Sequence, residues 1–548
     1  ASLSSSETGR LDAPEIHFYL QETPNADDPK KFDVRPDRML ACQANQMLAS
    51  QELPAATEAG RLQGMNHNIL LRSPQFSAAL RRLELWFEEA DAALPGGAAS
   101  PGGTAADRRP SVYEPSDSTM SENANHFEVI GQLLRAKVLM HGKADPELAE
   151  LTVDGGIRFV ETQTAKPDDK PMVLDGDRLH AVDVSGPHTA VTVTGRPAHF
   201  EARGLSLNGP NINLNRGTNR LWIDGAGQMN VPVDKDLEGK PLSNPGTLEV
   251  DWQERMEFDG RKASFQESVV ATGPLQRVQT ETLDIHFRRP IDFSAESFEA
   301  EQQPEVQQIL CYGGVRMDGR TFEAQRQTAQ MAIEVVDLKI NLDSGDLNAS
   351  GPGWVNSVQY GSNNRLSLPG DEPDAKGSND DEQLQCLHVR FQGSIEGNVR
   401  LPYRRMTFLD QVRTAYGPVD RFDAMLATND PDVLGPDGVV MRCEQLAVHE
   451  MNTAGARRGT VEMEAHGNTV VEGVDFTARA IRMTYSQAKD MLVLEGDGRT
   501  DAKLYRQERV GGQTSQAAAR KILYWPKTQQ LRVEDARSFE LSQFPGRR

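Results

Sequence analysis

The sequence has few aromatic residues, few cysteines and none of the short motifs that mark common catalytic sites. Its four cysteines form no C-x-x-C pair, which excludes zinc ribbons and thioredoxin-like sites. It also lacks H-E-x-x-H, G-x-S-x-G, Walker A and strand-to-helix G-x-G-x-x-G motifs. We therefore predict a protein that is not an enzyme, with no catalytic residues, no cofactor and no metal site.

Positive charge and long apolar runs are also scarce. With 59 Lys and Arg against 80 Asp and Glu, the net charge of -21 argues against nucleic acid or an anionic membrane surface as the main partner. No apolar run approaches the roughly 18 residues that a membrane helix needs, and no secretory signal precedes the first strand pattern. Because the chain begins at Ala1, we expect a processed or excised piece of a longer precursor.

Two questions stay open from the residues alone. Asp and Glu are plentiful, so a glycosidase-like carboxylate pair is compatible with the sequence, although solvated acidic faces are the commoner explanation. The cysteines have apolar neighbours, which fits disulfides in an oxidising compartment and buried free thiols equally well. They are Cys42, Cys311, Cys386 and Cys443.

What the sequence does contain is a repeated pattern of short alternating strands. Four tetrads share a phenylalanine, a polar residue and an alanine: QFSA at 75–78, HFEA at 199–202, TFEA at 321–324 and DFTA at 475–478. After the last two, apolar residues recur at every second position around short polar turns, which is the period of half-buried β-hairpins. Helical segments are few, and "ELAELTV" and "DQVRTAYGPVDRFDAML" each fit a short helix or a strand.

Three stretches have the composition of connections. Residues 91–124 and 361–384 are rich in Gly, Pro, Ser and Asp, and the second carries an acidic run. Residues 424–438, centred on "NDPDVLGPDG", are a shorter stretch of the same kind. We predict that all three project outward from a β scaffold, because a buried loop leaves backbone polar groups unpaired.

The segment from Gly467 to Gln507 resembles the repeat of the OstA family, the LptA-like proteins of periplasmic lipopolysaccharide transport. The family pattern runs from a glycine through an aromatic residue, an alanine and alternating apolar positions to a turn, a second apolar strand and a final glycine. The residues that follow it in order are Gly467, Phe476, Ala478, Ile481, Tyr485, Lys489, Leu492, Leu494 and Gly496. Weaker similarity covers residues 195–227, 256–287 and 315–353.

The resemblance implies an all-β fold of tandem OstA/LptA-like open β-jellyroll repeats that form an elongated two-sheet structure. We predict four OstA-like units, at residues 1–125, 126–293, 294–400 and 401–548, with the inserts 91–124 and 361–384 in the first and third.

The implied function is non-enzymatic transport of lipopolysaccharide or a related amphipathic lipid through the periplasm, with acyl chains held in an apolar groove. The implied partners are inner-membrane and outer-membrane components with jellyroll ends (LptC-like and LptD-like), and head-to-tail self-association is also expected. The residues predicted to line the groove are Phe200, Leu205, Leu207, Leu221, Ile223, Met256, Phe258, Phe265, Leu283, Ile285, Phe287, Phe322, Met331, Ile333, Leu338, Ile340, Phe476, Ile481, Met483, Tyr485, Leu492 and Leu494. The alternative is a structural or protein-binding β-scaffold of the cell envelope that carries no lipid.

Overall fold

The computed structural model describes most of the chain as β-strand. The described residues are 1–5, 9–24, 32–42, 69–72, 76–89, 127–140, 147–162, 171–184, 188–202, 205–235, 241–290, 305–323, 326–361, 383–400, 405–429, 431–435, 438–451, 460–474, 476–486, 489, 491–507, 514–525 and 530–540. In these ranges there is no α-helix, and the single helical element is a 3-10 helix, Pro431–Leu434. The predicted all-β fold is confirmed, whereas the tandem jellyroll repeats remain a prediction.

The strands follow one another with little else between them. In the first part of the chain they are β1 (Ser2–Ser5), β2 (Gly9–Asp12), β3 (Glu15–Pro24), β4 (Phe32–Cys42), β5 (Ile69–Arg72), β6 (Phe76–Leu80), β7 (Arg82–Glu89), β8 (Phe127–Ile130), β9 (Leu133–Met140), β10 (Glu147–Glu161), β11 (Val173–Val182), β12 (Ala190–Ala202), β13 (Leu205–Asn215), β14 (Arg220–Asp224), β15 (Gly227–Lys235), β16 (Pro241–Trp252) and β17 (Arg255–Phe258). The remaining strands are β18 (Lys262–Thr272), β19 (Gln276–Phe287), β20 (Val306–Tyr312), β21 (Val315–Glu323), β22 (Arg326–Val335), β23 (Asp337–Asn341), β24 (Asp346–Ser350), β25 (Gly353–Gly361), β26 (Gln383–Phe391), β27 (Ser394–Asn398), β28 (Arg405–Val419), β29 (Val439–Met451), β30 (Thr460–Gly473), β31 (Phe476–Ser486), β32 (Met491–Glu495), β33 (Ala502–Gln507), β34 (Thr514–Trp525) and β35 (Gln530–Glu540).

The chain divides into two compact units. Unit 1 comprises Ala1–Val231, Arg255–Gly260 and Asp292–Glu299, and unit 2 comprises Pro232–Glu254, Arg261–Ile291 and Ala300–Arg548. The four-unit division predicted from the repeats stays a prediction. "ELAELTV" lies in β10 and the first part of "DQVRTAYGPVDRFDAML" lies in β28, so both ambiguous segments continue the β pattern.

In unit 1 the long strands bend in the middle, so that each pairs with different neighbours on either side of the bend. The N-terminal half of β10 pairs with β9 and its C-terminal half pairs with β8. At the bend, Gly155 and Gly156 have φ values of +90° and +69°, a left-handed conformation that glycine adopts without strain. We call arm A the strand segments that are linked by pairing, directly or through their neighbours, to the N-terminal half of β10. The segments linked in the same way to its C-terminal half are arm B.

Unit 2 repeats this bent-strand arrangement. Residues 405–408 of β28 pair with β27, whereas residues 413–419 pair with β26. The bend contains Asp410 and Gln411, both with positive φ, and β30, which lies on the other side of β29, bends at Gly467 and Asn468 with the same sign of φ. The strand segments linked by pairing, directly or through their neighbours, to the first half of β28 form arm C. Those linked to its second half form arm D. The bulges lie on alternate strands, β28 and β30, and the register with β29 between them shifts at both, so the corner continues from strand to strand.

The strands at the ends of the described pairing have one neighbour each. In unit 1, β1 pairs with β2 and β3 pairs with β4, and in unit 2, β35 pairs with β34. Most pairs are antiparallel, but β6 runs parallel to β8 and β7 runs parallel to β9. These parallel pairs join strands from either side of residues 90–126, which lie outside the described part of the chain.

The stretch at 424–438 does not project outward as predicted. Leu434 of the 3-10 helix is buried, and with the partly buried Leu426 it packs against Ala415 of β28 and Val440 of β29. The two leucines supply enough apolar surface to hold the segment against the sheet. We call residues 420–429 and 431–435 the strap. The inserts 91–124 and 362–382 lie outside the described residues.

The corner allows little space for an additional atom at some glycines, which leads to a stability test. A Cβ atom on Gly353 lies 2.5 Å from the Glu334 carbonyl oxygen and 3.0 Å from the Phe391 ring, whereas one on Gly319 meets nothing closer than 3.7 Å. We expect Gly353→Ala to lower the free energy of unfolding by about 1–3 kcal/mol through overpacking. Gly319→Ala, also in a strand of unit 2, is the matched control, with a change within about 0.5 kcal/mol. Thermal unfolding followed by circular dichroism measures both, and equal melting temperatures for the two variants contradict a tight corner.

Candidate functional site

The candidate site is the apolar inner face of the two arms in each unit. In arm C, one row of directly opposed residues crosses every strand, and its members are in register without a break. The row runs Phe265, Leu283, Cys311, Leu338, Ala349, Ile395, Phe408, Leu446, Ala465, Met483, Leu494, Ile522 and Val533. All of these except Val533 are buried. Because opposed side chains in a sheet lie about 4.5–5.5 Å apart, the row forms a continuous apolar stripe.

Arm A of unit 1 carries an equivalent row. It runs Phe18, Met39, Leu85, Ala136, Leu151, Ala181, Val191, Leu214, Leu221 and Phe258. At the edge of the sheet the same face becomes exposed: Phe18 and Leu20 of β3 are 48% and 60% accessible, and Phe32 and Val34 of β4 are exposed too. An apolar face of this kind at a sheet edge is typical of an interaction surface.

The two arms of unit 2 face each other across the corner. Trp252 of arm D lies 5.4 Å from Phe265 of arm C, measured between ring centroids, and Phe391 of arm D lies 5.9 Å from Phe408 of arm C. Trp252 and Phe265 are fully buried. Near the corner the inner faces are therefore in direct contact.

At the last strands of unit 2 the arms leave a narrow cleft. Leu504, Arg506, Ser515 and Ala517 line it from arm D, and Tyr524 and Leu531 line it from arm C. The lining residues are cross-strand pairs in their own arms: Leu504 opposes Ala517, Arg506 opposes Ser515, and Tyr524 opposes Leu531. The space in the cleft that a water-sized sphere can occupy is about 10 Å³, which corresponds to a single water molecule, so a hydrocarbon chain enters only if the arms part.

Most of the residues predicted to line the groove lie on these inner faces. They share the face of the buried residues in their strands: Phe200, Leu205, Leu207, Leu221, Ile223, Met256, Phe258, Phe265, Leu283, Ile285, Phe287, Met331, Ile333, Leu338, Ile340, Phe476, Met483, Tyr485, Leu492 and Leu494. Ile481 lies at the corner, opposite the bulge at Gly467 and Asn468. Whether any of them contacts a lipid stays a prediction.

The prediction for Phe322 is wrong, because this side chain is 46% exposed. In β21 the inner face carries Val315, Met317 and Thr321, so Phe322, the residue after Thr321, lies on the opposite face. The extra residue at the nearby register shift is Thr328 of β22, and the alternation within β21 is unbroken. The F-x-A pattern gives the position of the phenylalanine but not the face of the strand on which it lies.

Sequence reasoning missed the cleft residues. The segment "QAAARKILYW" mixes helical and strand signals, which leaves the faces of Ala517 and Tyr524 undetermined by the sequence. The alternation of Leu504 and Arg506 in "AKLYRQ" and the apolar Leu531 at the start of β35 were the available signals. The exposed apolar residues at the edge, Phe18 and Leu20, also alternate in "HFYLQ".

Arm D places polar groups among the apolar ones. Ser357 and Thr414 are buried and lie in register with Met331 and Met441 respectively. Neither hydroxyl oxygen has a hydrogen-bond partner in the described protein. A buried hydroxyl without a partner costs about 1–3 kcal/mol, so both can accept a hydrogen bond from, or donate one to, a polar group that enters the arms.

The thiols of Cys311, Cys386 and Cys443 are not activated for nucleophilic chemistry. All four cysteines are free and buried, which answers the question that the sequence left open. Burial raises the pKa of Cys311 to about 12, of Cys386 to about 11 and of Cys443 to about 12. A nucleophilic cysteine needs a lowered pKa, so these thiols are structural.

A Cys, His and Asn set beneath the strap has the composition of a protease triad without its geometry. The Cys386 thiol donates to Asn356 Oδ1 at 3.3 Å, and Asn356 Nδ2 donates to the Ala424 carbonyl at 3.0 Å. His388 Nδ1 lies 3.2 Å from the same Asn356 oxygen. The histidine therefore does not activate the thiol, and the set satisfies buried polar groups where the strap covers arm D.

Comparison with models of known protein families and with curated proteins finds no match to this sequence. Among the described residues, the helical structure lacks the length and apolar character that a membrane-spanning helix requires. The case for a function therefore depends on the inner faces, the cleft and the sheet edges.

Burial of His388 leads to a pH-dependence test. Desolvation, with a smaller contribution from the charge of Arg390, lowers the pKa of His388 from 6.5 to about 4. Because the unfolded chain binds this proton more tightly, stability is full above about pH 6.5 and falls as the pH drops toward 4, by up to roughly 3 kcal/mol. We expect His388→Gln to reduce the difference between the melting temperatures at pH 7 and pH 5. An unchanged difference in the variant means that His388 is not buried in its neutral form.

Proposed function

We propose that the chain is a non-enzymatic lipid carrier of the OstA/LptA-like kind, which holds the acyl chains of an amphipathic lipid between the inner faces of its arms. The observation that carries the proposal is the unbroken apolar row of arm C, which faces arm D along the corner. A lipid can move along such a row without exposing its tail to water.

The energetics favour acyl chains as guests. Each buried CH₂ contributes about 0.8 kcal/mol, so a tail of roughly 12 carbons gains on the order of 10 kcal/mol before the costs of ordering. We expect that gain to offset the cost of parting the arms at the cleft, where Leu504, Ala517 and Leu531 line the free space. Arg506 and Ser515 at the same place offer a positive charge and a hydroxyl to a polar or anionic headgroup.

The sheet edges fit the proposed partners. Strands β3 and β35 each have one neighbour in the described pairing, and an edge strand can add a strand of another protein. We propose that these edges join inner-membrane and outer-membrane components with jellyroll ends (LptC-like and LptD-like), or further copies of the chain head to tail. The corresponding location is the periplasm of a bacterial cell envelope.

One observation favours the alternative, a structural or protein-binding scaffold without lipid. The largest inner side chains, among them Trp252, Phe265 and Phe391, are fully buried, as in an ordinary dry core. A scaffold needs no parting of the arms and uses the edges alone. The two functions differ in whether a lipid ever contacts the inner face.

Site-specific photo-crosslinking separates the two. A photoreactive residue at position 258, 340, 483 or 531 is expected to form lipid adducts when the full chain is irradiated with vesicles that contain lipopolysaccharide. Position 532 is the matched control, because Arg532 is the neighbour of Leu531 in β35 and its side chain is 69% exposed. Adducts at inner positions and none at 532 support the carrier. No adduct at any inner position contradicts it and leaves the scaffold.

A further inference from the structure

The first hairpin of unit 1 brings together three side chains of different chemistry on one face. Glu15 of β3 is directly opposite Cys42 of β4, and His17 is two residues along the same strand and so on the same face. Their ligand atoms, one carboxylate oxygen, one ring nitrogen and the sulfur, all lie within 4.8 Å of one another. In the part of the chain that the structure describes, this is the one group of three such residues with that spacing.

This donor set matches a borderline divalent cation. Zn²⁺ binds thiolate, imidazole and carboxylate ligands in a tetrahedron, and three protein ligands with one open position are a common arrangement. With metal–ligand distances of about 2.0–2.3 Å, ligand atoms of a tetrahedral site are roughly 3.4–3.7 Å apart. His17 Nε2 is already 3.4 Å from Glu15 Oε2, so small side-chain rotations close the set around an ion.

The thiol of Cys42 is buried beside a carboxylate. Cys42 is 1% exposed, and Glu15 lies directly opposite it. Arg82, a basic residue whose charge acts on this thiol, is already paired, because its Nη2 lies 2.6 Å from Glu84 Oε1. A divalent cation replaces the thiol proton and compensates the carboxylate at the same time.

We propose that Glu15, His17 and Cys42 form a binding site for Zn²⁺ or a similar borderline divalent cation, which ties the edge strand β3 to β4. The only described neighbour of β3 is β4, so an ion across the pair fixes the strand that ends the sheet. The proposal rests on the hairpin geometry alone and is independent of the lipid function. No short sequence motif marks the site, because Cys42 is distant from Glu15 and His17 in the chain. Only the pairing of β3 with β4 brings the three side chains together.

Metal titration of the full chain tests the site. The protein is reduced, stripped of metal and titrated with Zn²⁺ against a chromophoric chelator, and then with Co²⁺ to detect the thiolate-to-cobalt charge-transfer band. We expect one ion per chain and a charge-transfer band in the wild type. His17→Gln should weaken binding by more than about 100-fold, since losing an outer-shell partner alone costs about 10–100-fold. Cys42→Ser should remove the charge-transfer band.

The matched control is His180→Gln. His180 Nε2 lies 2.7 Å from Glu150 Oε1 in the same unit, and no cysteine belongs to this pair, so the variant should bind as the wild type does. His17 is partly exposed, which makes its substitution compatible with folding, and circular dichroism checks Cys42→Ser. The proposal is wrong if the wild type binds no ion, or if His17→Gln binds Zn²⁺ as tightly as His180→Gln.

Discussion

The corner shared by consecutive strands is the constraint on which the rest of this structure depends. Each bent strand contributes to two arms, and the apolar residues of both halves must point to the inside of the corner. Left-handed residues at the bend, such as Asp410 and Gln411, cost about 1–2 kcal/mol each. Burying one large apolar side chain contributes about 1.5–3 kcal/mol, so a few inner residues per strand outweigh the bend. The corner must stay in register, because a slip by one residue reverses the inner face.

Much of the fold could be predicted from the period-two pattern, and the failures have definite physical causes. Leu283, Ile285 and Met483 were placed on a buried face because alternation fixes parity within one uninterrupted strand. Phe322 lies on the other face from Val315 and Met317 because it is an odd number of residues from both, which the F-x-A pattern does not take into account. The strap was misread because Pro, Gly and Asp dominate its composition, whereas Leu426 and Leu434 decide its packing. The parallel pairs β6–β8 and β7–β9 depend on long-range topology and left no local pattern.

The packing of the candidate site also depends on the distance from the corner. Residues near the corner are packed in direct contact, and the free space appears where the strands are farthest along unit 2, at Leu504, Tyr524 and Leu531. A packed inner face and a lipid carrier are compatible only if the arms part and close again around a guest. In unit 2, the unpaired hydroxyls of Ser357 and Thr414 lower the cost of admitting a polar group. In unit 1, the apolar edge at Phe18 is an exposed part of that unit's own inner face. Under the proposed function, transport therefore depends on the free energy of replacing contacts between the two arms with contacts to an acyl chain.

Native mass spectrometry of the purified full chain tests the central claim most directly. If the inner faces hold a lipid, the spectrum contains species heavier than the bare chain by the mass of an acyl-bearing amphiphile, and gentle activation releases that amphiphile intact. If only the bare mass is found, before and after incubation with lipopolysaccharide and with phospholipid, the arms enclose a dry core and the carrier account is contradicted.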